Sequence, residues 1–357
     1  MRRLQTGRGS SMRITLTWKR HCCAAGASIL LIALPLTGLL VGCPPAPIEI
    51  GDWHDLHAIR DNLGGSYVLM NDLDSTTAGY TELAGLGANQ GRGWEPIGTS
   101  DAPFSGSFDG QGYQIRDLFI NRPDQDYVGL FGDISWVRHI DNVGVIENAG
   151  VVNADVTGGS CVGALVGHNG GIVSNSYSTG SVTGDERVGG LVGWNQHTVR
   201  NSYSVASVTG NREVGGLVGE TWYQGGVVSN SYSRGSVTGS SRVGGLAGWN
   251  RGVLGNSYST ASVTGDERVG GLVGYNTGTV SNSFWDRTIS GMEESDGGTG
   301  RSTKEMRDIR TFTNTAAAGL DEPWNMSAVA ASETDATSIW NVVDGQAYPF
   351  LSWQSVG

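Results

Sequence analysis

The sequence contains little charge, almost no lysine and few residues suited to catalysis. Charged residues make up 16 % of the 357 residues, and Lys304 is the only lysine after residue 42. The zinc-peptidase motif HExxH does not occur, and His139, His168 and His197 stand beside no recognisable Ser or Cys nucleophile. The sequence therefore predicts a protein without catalytic residues, metal or cofactor.

Glycine is abundant instead: 57 residues, or about 16 % of the chain, which is roughly double ordinary usage. A helix interior loses about 1 kcal/mol for each Gly in place of Ala, so this composition predicts turns and short strands. After residue 42 the chain carries 17 basic and 34 acidic residues. Such an excess of negative charge disfavours nucleic acid and anionic membrane surfaces as partners of the body of the protein.

The N-terminus predicts export. Residues 1–42 hold six basic groups and no acid, and they end in an apolar run from Ala24 to Val41, a pattern typical of a secretory signal. The last residues, Leu40-Val41-Gly42-Cys43, resemble the bacterial lipobox, which implies that Cys43 is acylated and becomes the first residue of a lipoprotein in the bacterial cell envelope. The alternative is a signal-anchor helix that stays in the membrane, because 18 residues can just span the hydrocarbon.

Cys161 is the only other cysteine outside the leader, so no intramolecular disulfide is expected if Cys43 is acylated. At the equivalent position of the other repeats stand Arg187, Glu213, Arg242 and Arg268. Because these residues are charged, we expect Cys161 to lie in an exposed turn and to have no catalytic role.

An internal repeat dominates the sequence. A motif of the type Val-Gly-Gly-Leu-Val-Gly begins at residues 162, 188, 214, 243 and 269, at spacings of 26, 26, 29 and 26. An Asn-Ser-Tyr-Ser block and a Val-Thr-Gly block keep phase with it. Three short strand-like segments in each unit predict one coil of a parallel β-solenoid.

Strand alternation predicts which residues of each coil face inward. Val173, Asn175 and Tyr177 fall on one face of a regular strand, and we expect this face to point into the solenoid. Stacking of coils then predicts two buried ladders. The aromatic ladder is Tyr177, Tyr203, Tyr232, Tyr258 and Phe284, and the amide ladder is Asn175, Asn201, Asn230, Asn256 and Asn282. For the Val-Gly-Gly-Leu-Val-Gly motif, alternation leaves open whether Val and Leu both face inward.

The motif at 188–193 and its sister segments resemble the GLUG repeat. This repeat occurs in bacterial surface and adhesin-like proteins, and ahead of the catalytic domain in some immunoglobulin A-cleaving zinc metallopeptidases. The resemblance covers about residues 52–353. It implies a surface location, whereas the periodicity itself predicts the fold class: an all-β parallel β-helix, or β-solenoid, with coils of about 26 residues, an N-terminal capping helix and a small C-terminal cap.

The sequence divides into five segments. These are a lipoprotein signal peptide at 1–42, a tether at 43–51, an N-terminal cap with the first strands at 52–126, the repeat solenoid at 127–290, and a linker with the C-terminal cap at 291–357. Trp53, Leu56, Ile59 and Leu63 have helical spacing and predict the capping helix. We expect a flexible join at 291–300, a short helix at 303–309, and cover of the last coil by large apolar residues, namely Trp324, Trp340, Tyr348, Phe350 and Trp353.

Three groups of polar residues are candidates for chemistry, each with a simpler alternative. His54 and His57 beside Asp52 and Asp55 have metal-binding spacing, but a solvated helix face is the commoner reason for such a group. The pair of aspartates at 72 and 74 suits Ca²⁺ or a turn. Between coils, Glu186 opposes Arg212 and Arg187 opposes Glu213, which predicts a ladder of exposed charge pairs that holds register. Asp185 and Asp266 are three coils, about 14 Å, apart, beyond the roughly 5 to 9.5 Å of paired glycosidase carboxylates.

One stripe of residues suits ligand binding. The position after each repeat motif holds His168, Trp194, Glu220, Trp249 and Tyr275, and amides follow most of them. The coil of 29 residues carries its three extra residues within 221–226, where we expect a protruding loop that exposes Trp222 and Tyr223. The predicted binding residues are Trp194, Trp222, Tyr223, Trp249 and Tyr275. Alternatively, these rings fill corners of the solenoid or stack on one another.

The sequence is compatible with three functions. The first is a lipid-anchored, non-catalytic surface module for adhesion or ligand binding, anchored in the membrane by its N-terminal lipid, with a glycan or a surface protein as ligand. The second is a structural spacer or scaffold of the cell envelope. The third is a polysaccharide-degrading β-helix enzyme, which the near absence of lysine disfavours.

Overall fold

A computed structural model describes residues 45–134, 143–223 and 225–354. The leader, Cys43 and His139 lie outside the described residues. Within the described ranges no helix is both long enough and apolar enough to cross a bilayer. Residues 46–354 belong to one compact unit.

Four parallel sheets, A to D, run along the stacked coils. The strands of sheet A are Ile48–Ile50, Ser66–Leu69, Ser107–Asp109, Val145–Glu147, Ile172–Ser174, Thr198–Arg200, Val227–Ser229, Val253–Gly255 and Thr279–Ser281. The strands of sheet B are Gln114–Arg116, Phe119–Arg122, Gly150–Gly158, Tyr177–Thr183, Tyr203–Thr209, Tyr232–Thr238, Tyr258–Thr264, Phe284–Asp286 and Thr299–Arg301. The strands of sheet C are Phe131–Ile134, Val166–Asn169, Val192–Asn195, Val218–Thr221, Ala247–Asn250 and Val273–Asn276. The strands of sheet D are Val162–Gly163, Glu186–Gly189, Arg212–Gly215, Ser241–Gly244 and Glu267–Gly270.

The predicted all-β parallel solenoid is confirmed. Neighbouring coils pair in parallel and in register, so that Val188 lies opposite Val162 on one side and Val214 on the other. Each full coil holds four strands rather than the expected three. The Val-Gly-Gly-Leu-Val-Gly motif divides between sheets D and C, whereas the Tyr-Ser and Val-Thr blocks join into one strand of seven residues in sheet B.

The glycine pair of the motif brings Val and Leu to the same side. Val188, Leu191 and Val192 are all fully buried in the core, as are their counterparts in the flanking coils. A methyl group on Gly189 would collide with the carbonyl oxygen of Val192 and would lie 2.7 Å from the amide nitrogen of Gly219. Only Gly allows sheets C and D to approach so closely at this bend.

The predicted inward orientation of Tyr177 and Asn175 is wrong, although the rings stack as predicted and Asn175 and Asn201 are hydrogen-bonded to each other. Asn175 and its counterparts have φ between 47° and 50°, a left-handed conformation that resets the alternation of the strand. Ser176 and Ser178 therefore face inward and are fully buried, whereas Tyr177 faces outward and is half-buried. The tyrosine rings stack on the outer wall, with centroids 4.9 Å apart from Tyr177 to Tyr203 and from Tyr203 to Tyr232, and 5.0 Å apart from Tyr232 to Tyr258.

The amide ladder runs along the same corner and is only partly buried. Asn201 Nδ2 donates to Asn175 Oδ1 over 3.3 Å, and Asn175 Nδ2 donates to Asn148 Oδ1 over 3.2 Å. At the last rung, Asn282 Oδ1 instead accepts a hydrogen bond from the backbone N–H of Asp321 over 2.7 Å.

The predicted N-terminal helix is present at Trp53–Ala58 and continues as a 3-10 turn at Ile59–Asp61. The Asp52 side chain caps it by accepting from the backbone N–H groups of His54 and Asp55. Trp53, Leu56 and Ile59 are fully buried, as their spacing predicts. Short helical turns elsewhere are Tyr80–Leu83, Ala88–Gly91, Arg287–Ser290, Glu305–Arg307 and Arg310–Thr313. Ile48–Ile50, from the expected tether, is already a strand of sheet A.

The C-terminal residues 302–354, here called the strap, lie against the outward face of sheet B and also cover Phe284 of the last coil. A three-stranded sheet in the strap comprises Met326–Ala328, Trp340–Val342 and Phe350–Leu351. Trp340 contacts both Tyr232 and Tyr258, and Trp353 reaches back to Tyr203 at 5.8 Å. These rings form a second hydrophobic cluster outside the solenoid wall. The helix expected at 303–309 is a 3-10 turn at Glu305–Arg307.

Residues 291–300, expected to be a flexible join, instead pair with the edge of the last coil. The Ser295 hydroxyl accepts from the backbone N–H of Val273 over 2.9 Å, and Asp296 accepts from that of Asn276 over 2.7 Å. Thr299–Arg301 adds a strand to sheet B. This segment thus satisfies backbone groups that an open solenoid end would expose.

Candidate functional site

The predicted stripe lies on sheet C. Register places Asp133, His168, Trp194, Glu220, Trp249 and Tyr275 side by side on successive strands. The rings of His168, Trp194, Trp249 and Tyr275 are partly buried. His168 stacks on Trp194 at 4.7 Å and Trp249 lies 5.7 Å from Tyr275, so Glu220 interrupts an otherwise aromatic row.

The insertion in the long coil adds two rings beside this row. Trp222 is partly buried and meets Trp194 edge-on at 5.5 Å. Tyr223 lies 4.9 Å from Trp222 and is 53 % exposed. The expected exposure therefore holds for Tyr223, whereas Trp222 packs back on the wall.

Arginine side chains lie over the rings of Trp222, Trp249 and Tyr275. The Arg251 guanidinium carbon lies 4.1 Å from the centroid of Trp222, 4.5 Å from that of Trp249 and 5.0 Å from that of Tyr223. We call Trp194, Trp222, Tyr223, Trp249 and Arg251 the loop patch. Cation–π contacts of this kind hold the loop patch in place. Arg242 and Arg268 similarly lie over Trp249 and Tyr275, at 4.2 and 4.0 Å.

Two glutamates are buried beneath these arginines. Glu220 accepts from Arg187 Nε over 2.6 Å and from Arg251 Nη1 over 3.1 Å. Glu213 accepts from Arg242 Nη1 over 2.5 Å. Burial, and then the nearby charge of Glu220, raise the pKa of Glu213, although the arginines oppose the shift. Burial acts to lower the pKa of Arg187, but its hydrogen bonds and charge interactions with Glu220 and Cys161 together outweigh this and raise it.

The predicted charge ladder is present. Arg212 donates to Glu186 over 2.8 Å, and Arg187 Nε lies 3.3 Å from Glu213. Contrary to the expectation of exposed pairs, the Glu213 side chain is only 2 % exposed. Its carboxylate needs these partners, since an unpaired buried charge is costly.

Cys161 occupies a left-handed turn position, with φ of 58°, but the expected exposure is wrong. The residue is 2 % exposed, and burial raises the pKa of its thiol to about 12. The turn packs against sheet C, so a residue in it need not reach solvent. A thiol with this pKa is a poor nucleophile at neutral pH.

The amides expected beside the stripe are not available to a ligand. Asn169, Asn195 and Asn250 are fully buried, and so is Thr221. Asn169 Nδ2 donates to Asn195 Oδ1 over 2.8 Å, and Asn250 bonds to Asn276 in the same way. These residues form an internal ladder along a corner of the solenoid.

The other candidates for chemistry are not assembled. His54 contacts Glu82 at 3.2 Å, and no group of three or more His, Cys, Asp or Glu side chains among the described residues is placed to hold a metal ion. Asp74 accepts from the Thr76 backbone and hydroxyl, which supports the turn. Asp72 accepts from the backbone N–H of Gln114 and lies 3.6 Å from Arg116.

Sequence reasoning missed Arg251 and the burial of Glu220. A signal was present: among the five repeats, the coil with an acid in the stripe position is also the coil with the insertion, and the next coil carries Arg251 two residues after Trp249. An inward column of serines was also missed. In it the backbone N–H of Ser176 donates to Ser202 Oγ, and that of Ser202 donates to Ser231 Oγ, each over 3.2 Å.

Comparison with known families addresses the repeats directly. The family model described as "the GLUG motif" matches residues 158–183 and 265–290. The chain carries GLUG repeats. Each match covers one 26-residue unit and includes one strand of each of the four sheets, so the GLUG unit coincides with one coil of the solenoid.

Two curated relatives match part of this chain. Halomucin of Haloquadratum walsbyi is 38 % identical over 146 residues, which is 39 % of this chain and 2 % of halomucin. A protein of Evansella cellulosilytica, provisionally named a Gly-rich membrane protein, is 37 % identical over 130 residues, 34 % of this chain and 13 % of that protein. The chain thus spans a small part of the length of these relatives.

A solved structure shares the fold. It belongs to a Bacteroides ovatus protein provisionally described as an immunoglobulin A1 protease. The TM-score is 0.59 at 22 % identity, and the match covers 87 % of this chain and 93 % of the other. At this identity the similarity concerns the solenoid fold alone.

Proposed function

We propose that this protein is an exported, lipid-anchored surface module that does not catalyse a reaction and that binds a glycan or a surface protein through the loop patch. The names of its relatives, a halomucin and a Gly-rich membrane protein, support a place in the cell envelope. Acylation at Cys43 supplies the anchor in this proposal.

The observation that carries the proposal is Tyr223. Its ring is 53 % exposed in the one coil that departs from the 26-residue period, and Trp222 and Arg251 support it from below. An exposed aromatic ring held on a rigid wall is suited to stacking on a sugar face or on an apolar side chain.

The chemistry of the stripe argues against catalysis. Glu213 and Glu220 are both held by arginines, which leaves neither as a general base. The raised pKa of Cys161 disfavours a thiolate nucleophile.

A binding screen of glycans and matrix proteins tests the proposal. Retained ligands should be lost with Tyr223→Ala, whereas Tyr113→Ala, which removes another exposed tyrosine at 38 % exposure, should bind as the parent does. Retention unchanged by Tyr223→Ala, or no retained ligand at all, would count against the proposal.

A spacer is the second candidate. Arg242 and Arg268 cover Trp249 and Tyr275, so these rings contact side chains of the protein itself. A purely structural wall would have such contacts. An empty binding screen favours this candidate.

A further inference from the structure

The charges beneath and within the loop patch are arranged in layers. The side chains of Glu213 and Glu220 are 2 % and 0 % exposed. Those of Arg187, Arg242 and Arg251 are 30 %, 21 % and 25 % exposed. Three cations therefore accompany two anions, and the cations are the groups that reach the solvent.

The acids of the neighbouring turns are either paired with arginines or, like Asp185 and Asp266, exposed without an ion pair among the described residues. Glu186 is paired with Arg212 at 2.8 Å, and Glu267 lies 3.6 Å from Arg268. Between Ser240 and Arg251 the chain has two arginines and no acid. This segment is free of acids in a body with 34 acidic and 17 basic residues after residue 42.

The guanidinium groups retain donors for a ligand. Each guanidinium has five N–H donors, and Arg251 directs one nitrogen, Nη1, at Glu220 while its plane lies against the rings of the loop patch. Guanidinium groups recognise carboxylate and sulfate with paired hydrogen bonds. A sugar ring stacked on Tyr223 would bring its acidic substituents next to Arg251, 5.0 Å from that ring.

We propose that the ligand of the loop patch is an acidic glycan, bearing carboxylate or sulfate groups. This inference rests on the proposed function and adds the chemical class of the ligand. The buried glutamates position the arginines, the arginines bind the anionic groups, and the exposed ring binds the sugar face.

The direct test compares polygalacturonate with its methyl ester, which has the same backbone without the charge. The purified chain should bind polygalacturonate at least about tenfold more tightly than the ester. Affinity should fall as salt rises, because ionic strength screens exposed charges. Arg251→Gln should weaken binding by about tenfold, and Arg268→Gln, which leaves the buried cluster intact, should weaken it measurably. Arg200→Gln removes the same charge from an exposed residue of sheet A and should have no effect on binding.

Two outcomes overturn the inference and leave the proposed function standing: equal affinity for polygalacturonate and its ester, or binding through Tyr223 of neutral ligands alone. An effect of Arg200→Gln as large as that of Arg268→Gln would assign the binding to net charge and also overturn the inference. If no ligand in the screen is retained, the proposed function fails together with it.

Discussion

Tyr232 is the residue that best reports how the outer wall is stabilised. Its ring is 2 % exposed, stacks between Tyr203 and Tyr258, and its hydroxyl accepts from Gln354 Nε2 over 2.8 Å. Truncation of a buried aromatic costs about 3 to 5 kcal/mol. Tyr232→Ala should therefore lower the free energy of unfolding in urea by about this amount.

Tyr177→Ala is the matched control, because Tyr177 ends the ladder and is only half-buried. It should cost clearly less than Tyr232→Ala. If the two variants lost the same free energy of unfolding, the ladder as described would be contradicted. Such a result would mean that contacts with the strap add nothing to the stability of Tyr232.

Single residues also explain where the sequence misled. Alternation places Tyr177 on the same face as Val173 only if the backbone between them is a regular strand. Asn175, with φ of 49°, breaks that strand, and Asn is the residue type other than Gly that most readily adopts this conformation. The Asn of the repeat thus signals a corner, and the following Tyr is outward for that reason.

At the scale of elements, the strap is the part of the fold that acts on the ladder. It covers Tyr232, Tyr258 and Phe284, which are all buried in the second hydrophobic cluster. A chain that ends at Arg301 should keep its parallel sheets but expose these rings. We expect increased fluorescence of a hydrophobic dye and association of the truncated chain in light scattering.

The intact chain provides the baseline for both measurements. A truncated chain that stays monomeric and binds no more dye than the intact chain would show that the strap does not cover the ladder in solution.

The insertion shows how far a repeat can be used for prediction. The 29-residue spacing correctly located the departure from the wall, because the strands that flank it, Val218–Thr221 and Val227–Ser229, both stay in register with the preceding coil. The ion pairs of Glu220 could not be located in this way. They join residues from three different coils, and no period links Arg187 to Arg251.

For the whole molecule, regular stacking made the fold predictable and the non-repeating ends did not. Each coil repeats the contacts of its neighbour, so one interpreted unit gives the solenoid. The strap has no internal copy, and its path along sheet B depends on long-range contacts such as that of Trp353 with Tyr203. The apolar residues of the strap could be identified from the sequence, but the surface that they cover could not.

Anchoring in the membrane is a property of the whole molecule, and substitution of Cys43 tests it. If Cys43 carries the lipid, Cys43→Ala should remain unprocessed and should not incorporate labelled fatty acid. Cys161→Ala is a suitable control, since a buried thiol in the solenoid should not affect labelling. Labelling of Cys43→Ala at the level of the parent would refute the lipobox interpretation.

Deletion of residues 223–225 tests whether the irregular coil binds the ligand. The deletion restores the 26-residue period, and the strands on either side already pair in register. We expect the shortened chain to unfold at about the same urea concentration as the parent. It should no longer retain the ligands found in the screen. Undiminished retention by the shortened chain would contradict the account.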